Sequence, residues 1–93
     1  MELEWDEGNI DKSFFRHGIH DWEIEEAFFD QNAISLHLGD FAGEERHTWL
    51  GRSETSGRYL QIIYTSRTRR GIRFYRPISA MEMKPRFRAR YQK

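Results

Sequence analysis

Cysteine is absent from the 93 residues, so no disulfide holds the fold, and neither a thiolate metal site nor a thiol nucleophile is available. That suits a reducing compartment, and the cytoplasm is the expectation. No apolar run approaches the roughly 20 residues a membrane helix needs. The opening segment Met1–Asp11 is acidic, unlike the basic start of a secretory signal, so no membrane partner is expected. Also missing are a Gly-x-Ser-x-Gly elbow, a Ser/His/Asp arrangement in recognisable context and a phosphate-cradling glycine loop. Net charge is absent too, but this zero hides a division. From Met1 to Glu45 thirteen acidic residues face two basic ones, Lys12 and Arg16, whereas Arg46 to Lys93 carries thirteen basic residues against Glu54 and Glu82.

Such asymmetry points to an anionic partner for the basic half. The plainer reading is that the halves neutralise one another through surface ion pairs, each worth about 0–1 kcal/mol. Eleven of the thirteen late cations are arginine, whose planar fork matches phosphate or carboxylate in a way lysine does not. What the chain has in quantity is aromatic material: 15% of residues, with three Trp and seven Phe. Large aromatics are expected to fill much of the core of one domain spanning residues 1–93.

Hydrophobic spacing predicts an α+β fold. Leu3 and Trp5 alternate with acids like a short edge strand. Asp6 can cap a helix over Asn9–His17 that stops at Gly18, and it sets Lys12 and Arg16 one turn apart. Asp21 can cap a second helix with Ile24, Ala27 and Phe28 inward, running to about Phe29. From Ala33 the period becomes two: Ile34, Leu36 and Leu38 alternate with Ser35 and His37. Gly39–Glu45 reads as a turn, and Arg46–Arg52, Tyr59–Thr65 and Ile72–Arg76 read as strands, with a polar turn over Ser66–Gly71. Short connections make this a four-stranded antiparallel sheet preceded by two N-terminal helices. Ser79-Ala80-Met81-Glu82 has the form of a capping box opening a C-terminal helix. Pro85 inside that helix would cost about 3 kcal/mol or more, so the helix is expected to kink there. Lys84, Arg86, Arg88, Arg90 and Lys93 line its surface.

No metal is expected. His17 and His20 are separated by Gly18, which ends the helix between them, and the pairs Glu25-Glu26 and Glu44-Glu45 diverge. No other cofactor is implied. What remains is a surface rich in arginine and tyrosine. RNA cleavage without a metal requires a base for the 2′-hydroxyl, cations for the charge on phosphorus and an acid for the leaving 5′ oxygen. Arg52, Arg58, Arg73 and Arg76 lie on neighbouring strands that can bring them onto one sheet face.

Across nearly its whole length the chain resembles the BrnT toxins of type II toxin-antitoxin systems. The likeness is carried by Trp5-Asp6, Arg16-His17-Gly18, Glu26-Ala27, Phe29-Asp30, Gly43-Glu44-Glu45-Arg46, Leu50-Gly51-Arg52-Ser53, Gly57-Arg58, the strand Leu60–Thr65, and Arg76-Pro77-Ile78-Ser79-Ala80 leading to Tyr91. The chain departs from the family's pattern at Met81, where arginine is usual, at Phe87, where glutamate is common, and at Pro85. The resemblance implies a RelE-like fold and metal-free RNA cleavage. It also implies neutralisation by a ribbon-helix-helix antitoxin, so that DNA is met only through that partner. On this reading Arg52, Arg73 and Arg76 hold the scissile phosphate, and His17 or Tyr91 transfers protons. Lys12, Arg58 and Lys84 attract RNA, and Tyr75 stacks on a base. The alternative is a degenerate toxin that binds an antitoxin or another acidic partner and cleaves nothing.

Overall fold

The structure is a computed structural model that describes residues 1–92. Lys93, expected at the end of the basic helix, lies outside the described residues. The chain runs β1 (Glu2–Leu3), α1 (Lys12–His17), α2 (Asp21–Phe28), β2 (Ile34–Phe41), β3 (Glu44–Arg52), β4 (Tyr59–Arg69), β5 (Ile72–Glu82) and α3 (Pro85–Tyr91). The architecture is α+β, but the expected four-stranded antiparallel sheet is corrected. One five-stranded mixed sheet is present, in the order β1-β5-β4-β3-β2, and β1 runs parallel to β5.

The antiparallel part follows from its turns. Ala42 and Gly43 between β2 and β3 have φ of 52° and 79°, and Arg70 and Gly71 between β4 and β5 have 52° and 78°. Two successive residues at positive φ make a two-residue turn whose twist matches the flanking strands. The expected turns Gly39–Glu45 and Ser66–Gly71 therefore contract and the strands lengthen. β1 escapes this logic because most of the chain separates it from β5, so nothing enforces an antiparallel return. Glu2 and Leu3 lie opposite Phe74 and Tyr75.

Past that short pairing, the outer edge of β5 is covered by the α1 region rather than by a strand. Asn9 Nδ2 donates to the carbonyls of Glu4 and Pro77, both at 2.9 Å, and Ser13 Oγ accepts from Ala80 N at 2.9 Å. These contacts satisfy edge groups that would otherwise face water or another chain. Asn9 thus serves the sheet, and α1 starts only at Lys12, ending at Gly18 with φ 70°.

Ile24, Ala27 and Phe28 of α2 join Ile19 in packing on Leu60, Ile62, Tyr64 and Ala80. The approach is close at Gly51, where an added Cβ would lie 2.3 Å from the Ala27 carbonyl oxygen. The same oxygen accepts from Trp49 Nε1 at 2.9 Å.

The C-terminal expectation is also corrected. Ser79–Glu82 do not open a helix; they continue β5, opposite Leu60–Ile63. Ser-x-x-Glu suits a strand of alternating exposure as well as a cap, and long-range pairing with β4 decides between them. Pro77 stands opposite Tyr64, where the register shifts between Ile63 and Tyr64, a position that tolerates a missing N–H. Pro85 kinks nothing. It is the first residue of α3, where a missing N–H leaves nothing unpaired, and Lys84 before it is extended at φ −70°, ψ 155°.

Candidate active site

Successive side chains of a strand point to opposite faces. On the face that α1 and α2 cover, the aromatic residues Phe28, Trp49, Tyr64 and Tyr75 form a continuous cluster. Tyr64 and Tyr75 have ring centres 5.0 Å apart, and Phe28 meets Tyr64 edge-on at 5.6 Å. Beyond the helices this cluster ends in a polar rim.

The rim is set by register. His37 on β2 is the direct cross-strand partner of His47 on β3, and the pairing slips just after His37. Their rings lie 5.4 Å apart. Glu45 is two residues before His47 and so shares its face; its Oε1 is 2.9 Å from His47 Nε2 and 3.8 Å from His37 Nδ1. His47 is opposite Tyr64 on β4 and stacks on it at 5.4 Å. The Tyr64 hydroxyl shares a 2.6 Å hydrogen bond with Ser35 Oγ. Burial, aided by Tyr75, pushes the Tyr64 phenol above its ordinary value, against the opposing effects of the Ser35 hydrogen bond and the Arg73 charge. Tyr64 therefore stays neutral near pH 7 and keeps a proton to donate.

Arg73, near enough for Tyr64 to feel its charge, has Thr68 Oγ1 at 3.5 Å as its hydrogen-bond partner. On the opposite face of β4, Arg67 and Arg69 both engage Glu4. Among the described residues neither Arg70 nor Arg73 is held in an ion pair, so the β4–β5 hairpin presents unpaired positive charge, with Arg73 on the sheet face that carries Tyr64.

The other residues expected at the site are placed elsewhere. The four arginines do not converge. Arg52 lies opposite Tyr59 and Arg76 opposite Thr65, six residues apart along β4, or about 20 Å; Arg73 points to the other face of β5. Arg76 holds Asp6 with two hydrogen bonds, of 2.5 and 2.9 Å, and this keeps the Asp6 carboxyl below the usual range. Arg58 Nη1 donates to the Gly18 carbonyl at 2.8 Å and lies 3.6 Å from buried Glu23.

Arg52 and Tyr91 are brought together, but around an acid. Asp30 Oδ2 accepts from the Tyr91 hydroxyl at 2.5 Å and from Arg52 N at 2.8 Å. Burial works to raise the Asp30 carboxyl, yet hydrogen bonds from Tyr91, Asn32 and Arg52 outweigh it and the net shift is down. Burial and Asp30 together push Tyr91 up to about 12. These groups line a cleft of about 720 Å³ that also contains Glu25, Glu26 and Glu54, a lining that repels a polyanion.

His17 is exposed at the end of α1. Lys12 and Arg16 line a shallow groove of about 240 Å³ with Ile78 and Ser79. Lys84 donates its backbone N–H to Gln61 Oε1 at 2.9 Å, and Tyr75 is half-buried within the aromatic cluster.

His37, His47, Tyr64 and Ser35 were not singled out by the sequence reading, and Glu45 was weighed only as half of the pair Glu44-Glu45. The available signal was the alternation that set Ser35 and His37 on one face of β2. What it lacked was the partner strand's register.

Residues 5–86 match the family model described as the ribonuclease toxin, BrnT, of type II toxin-antitoxin systems. No curated protein matches the chain.

Proposed function

Since the chain belongs to the BrnT family and is therefore a ribonuclease toxin with an antitoxin partner, we propose that its RNA chemistry takes place at the rim formed by His37, His47, Tyr64 and Arg73. The observation that supports this location is the pair of neighbouring imidazoles, one held by Glu45 at 2.9 Å, on the sheet face that also carries Tyr64 and Arg73. Imidazole is the side chain suited to both giving and taking protons near neutral pH.

One histidine removes the 2′-hydroxyl proton, the 2′ oxygen bonds to phosphorus, and the bond from phosphorus to the 5′ oxygen breaks. The second histidine, or Tyr64, gives a proton to that leaving oxygen. The products are a 2′,3′-cyclic phosphate and a 5′-hydroxyl. Arg73 holds the non-bridging oxygens as their charge grows. Tyr75 offers a ring edge to an unpaired base, and Arg70 with Lys12 and Arg16 attracts the RNA backbone. All proton transfers are made by side chains, so cleavage proceeds with chelator present.

Arg52, Arg58, Arg76 and Tyr91 act in this reading by holding the fold against Asp30, Glu23 and Asp6. The antitoxin is a ribbon-helix-helix protein, DNA is reached only through it, and the 93 residues act as one domain in the cytoplasm.

The test is RNA cleavage and growth arrest by His47→Ala, His37→Ala and Arg73→Ala, each checked for folding by circular dichroism. The expected result is a loss of about 10²–10⁴ in rate for a proton-transfer residue. Cleavage at the unaltered rate by the folded His37→Ala/His47→Ala double variant would remove the rim from catalysis. No cleavage by the unaltered chain, with antitoxin binding intact, would favour the degenerate toxin.

A further inference from the structure

The β2–β3 hairpin brings together three side chains that ligate transition metals, and they are not near one another in sequence spacing of any familiar kind. His37, Glu45 and His47 each direct one donor atom to a common region, all within 4.8 Å of one another. The tightest pair, Glu45 Oε1 and His47 Nε2, is 2.9 Å apart, and His37 Nδ1 is 3.8 Å from the same oxygen. In a tetrahedral zinc site with bonds of about 2.0–2.1 Å, neighbouring ligand atoms stand roughly 3.3 Å apart. Small rotations of the side chains reach that spacing. Glu45 and His37 are well exposed, with 60% and 55% of their side-chain surface accessible, so an ion can enter and the ligands can adjust.

Backbone geometry fixes this arrangement more firmly than exposure alone suggests. His37 and His47 are register partners, Glu45 shares the face of His47, and the tight Ala42–Gly43 turn holds the two strands together. His47 is further steadied by stacking on Tyr64. Two imidazole nitrogens and one carboxylate oxygen form a donor set that takes Zn²⁺, with a water or substrate atom completing the fourth position.

We propose that this hairpin binds Zn²⁺ or a similar divalent transition metal through His37, Glu45 and His47, and that binding inhibits RNA cleavage. The inhibitory clause rests on the active site proposed above. A metal on both imidazoles occupies the lone pairs needed for proton transfer, so the ion is an inhibitor and not the catalyst. Availability of zinc then becomes a second brake on the toxin, independent of the antitoxin.

The test uses the untagged full chain. Zn²⁺ is titrated by calorimetry, and Co²⁺ by its visible absorption, which reports coordination geometry. One ion per chain is expected, with affinity falling at least about tenfold in Glu45→Gln and by more in His37→Ala/His47→Ala. Absence of micromolar binding, or one-to-one binding unchanged in the double variant, would overturn the site. RNA cleavage is then followed with added Zn²⁺ and after EDTA. Inhibition reversed by EDTA is expected. Binding that requires all three ligands yet leaves cleavage unchanged would keep the metal site and overturn its inhibitory role together with the catalytic assignment of the histidines.

Discussion

Arg73 and Arg76 stand three residues apart on β5 and have opposite surroundings. Arg76 is committed to Asp6 through two hydrogen bonds. Arg73, on the other face, has no carboxylate partner among the described residues and shares its face with Tyr64 and the histidine pair. The same division runs through the molecule. Arg58 caps α1 and meets buried Glu23, and Arg52 sits in an acid-lined cleft with Asp30 and Tyr91. At the β4–β5 tip, Arg70 and Arg73 are not neutralised by any of the described residues. The opposed charges of the two chain halves are therefore partly spent on folding, as the plainer reading of composition held, and partly left for a polyanion. An arginine's type does not tell which use it serves; the neighbouring acid does.

The largest expected effect separates the two groups in rate. His47→Ala should lower RNA cleavage by about 10²–10⁴ and leave thermal stability nearly unchanged, since its contacts are at a partly exposed rim. Arg73→Ala should lower cleavage by about 10²–10³. Equal loss in Arg52→Ala, with the fold intact, would break the comparison.

Next is an effect on stability alone. Gly51→Ala places a methyl group 2.3 Å from the Ala27 carbonyl oxygen and should destabilise by about 1–3 kcal/mol, read by denaturant titration. The activity of molecules that remain folded should persist.

The Asp30–Tyr91 contact gives a pH signature. Tyr91 is pushed from its ordinary value near 10 up to about 12 by burial and Asp30, so its contribution to stability is full below pH 10 and is lost as pH rises toward 12. Asp30 is lowered from 3.8, so its contribution is full above that value and is lost on acidification. Thermal melts of Tyr91→Phe should show a smaller alkaline loss, with the share of buried Tyr64 remaining, and a melt profile identical to that of the unaltered chain would remove Tyr91 as a source. Smallest is Asp6→Asn, an exposed pair with Arg76. Its effect should be slight, weaker at high salt, and without influence on cleavage.

Much of this was legible in the sequence. Period-two alternation located β2, β3 and β4, and Gly18 marked the end of α1. The motif residues that carried the family likeness meet one another in space: Asp6 with Arg76, Glu26 with Ser53, and Asp30 with Arg52. The failures share a cause. The short edge strand expected around Leu3 is present, but its parallel place beside β5 was not foreseen, and Ser79–Glu82 match a helix cap locally; both depend on pairing with distant strands. The rim was missed for the same reason. Ser35 and His37 were on one face of β2, but a seven-residue turn over Gly39–Glu45 hid the register that sets His37 opposite His47. A search by spacing along one segment, as for His17 and His20, does not find side chains that meet across a hairpin.

The most direct test of the central claim is the rate of cleavage of a defined RNA, with EDTA present, by Arg73→Ala and by Arg76→Ala at a temperature where both are folded. A loss of at least about a hundredfold is expected for Arg73→Ala and a near-normal rate for Arg76→Ala. The reverse order, or equal loss in both, would contradict that claim.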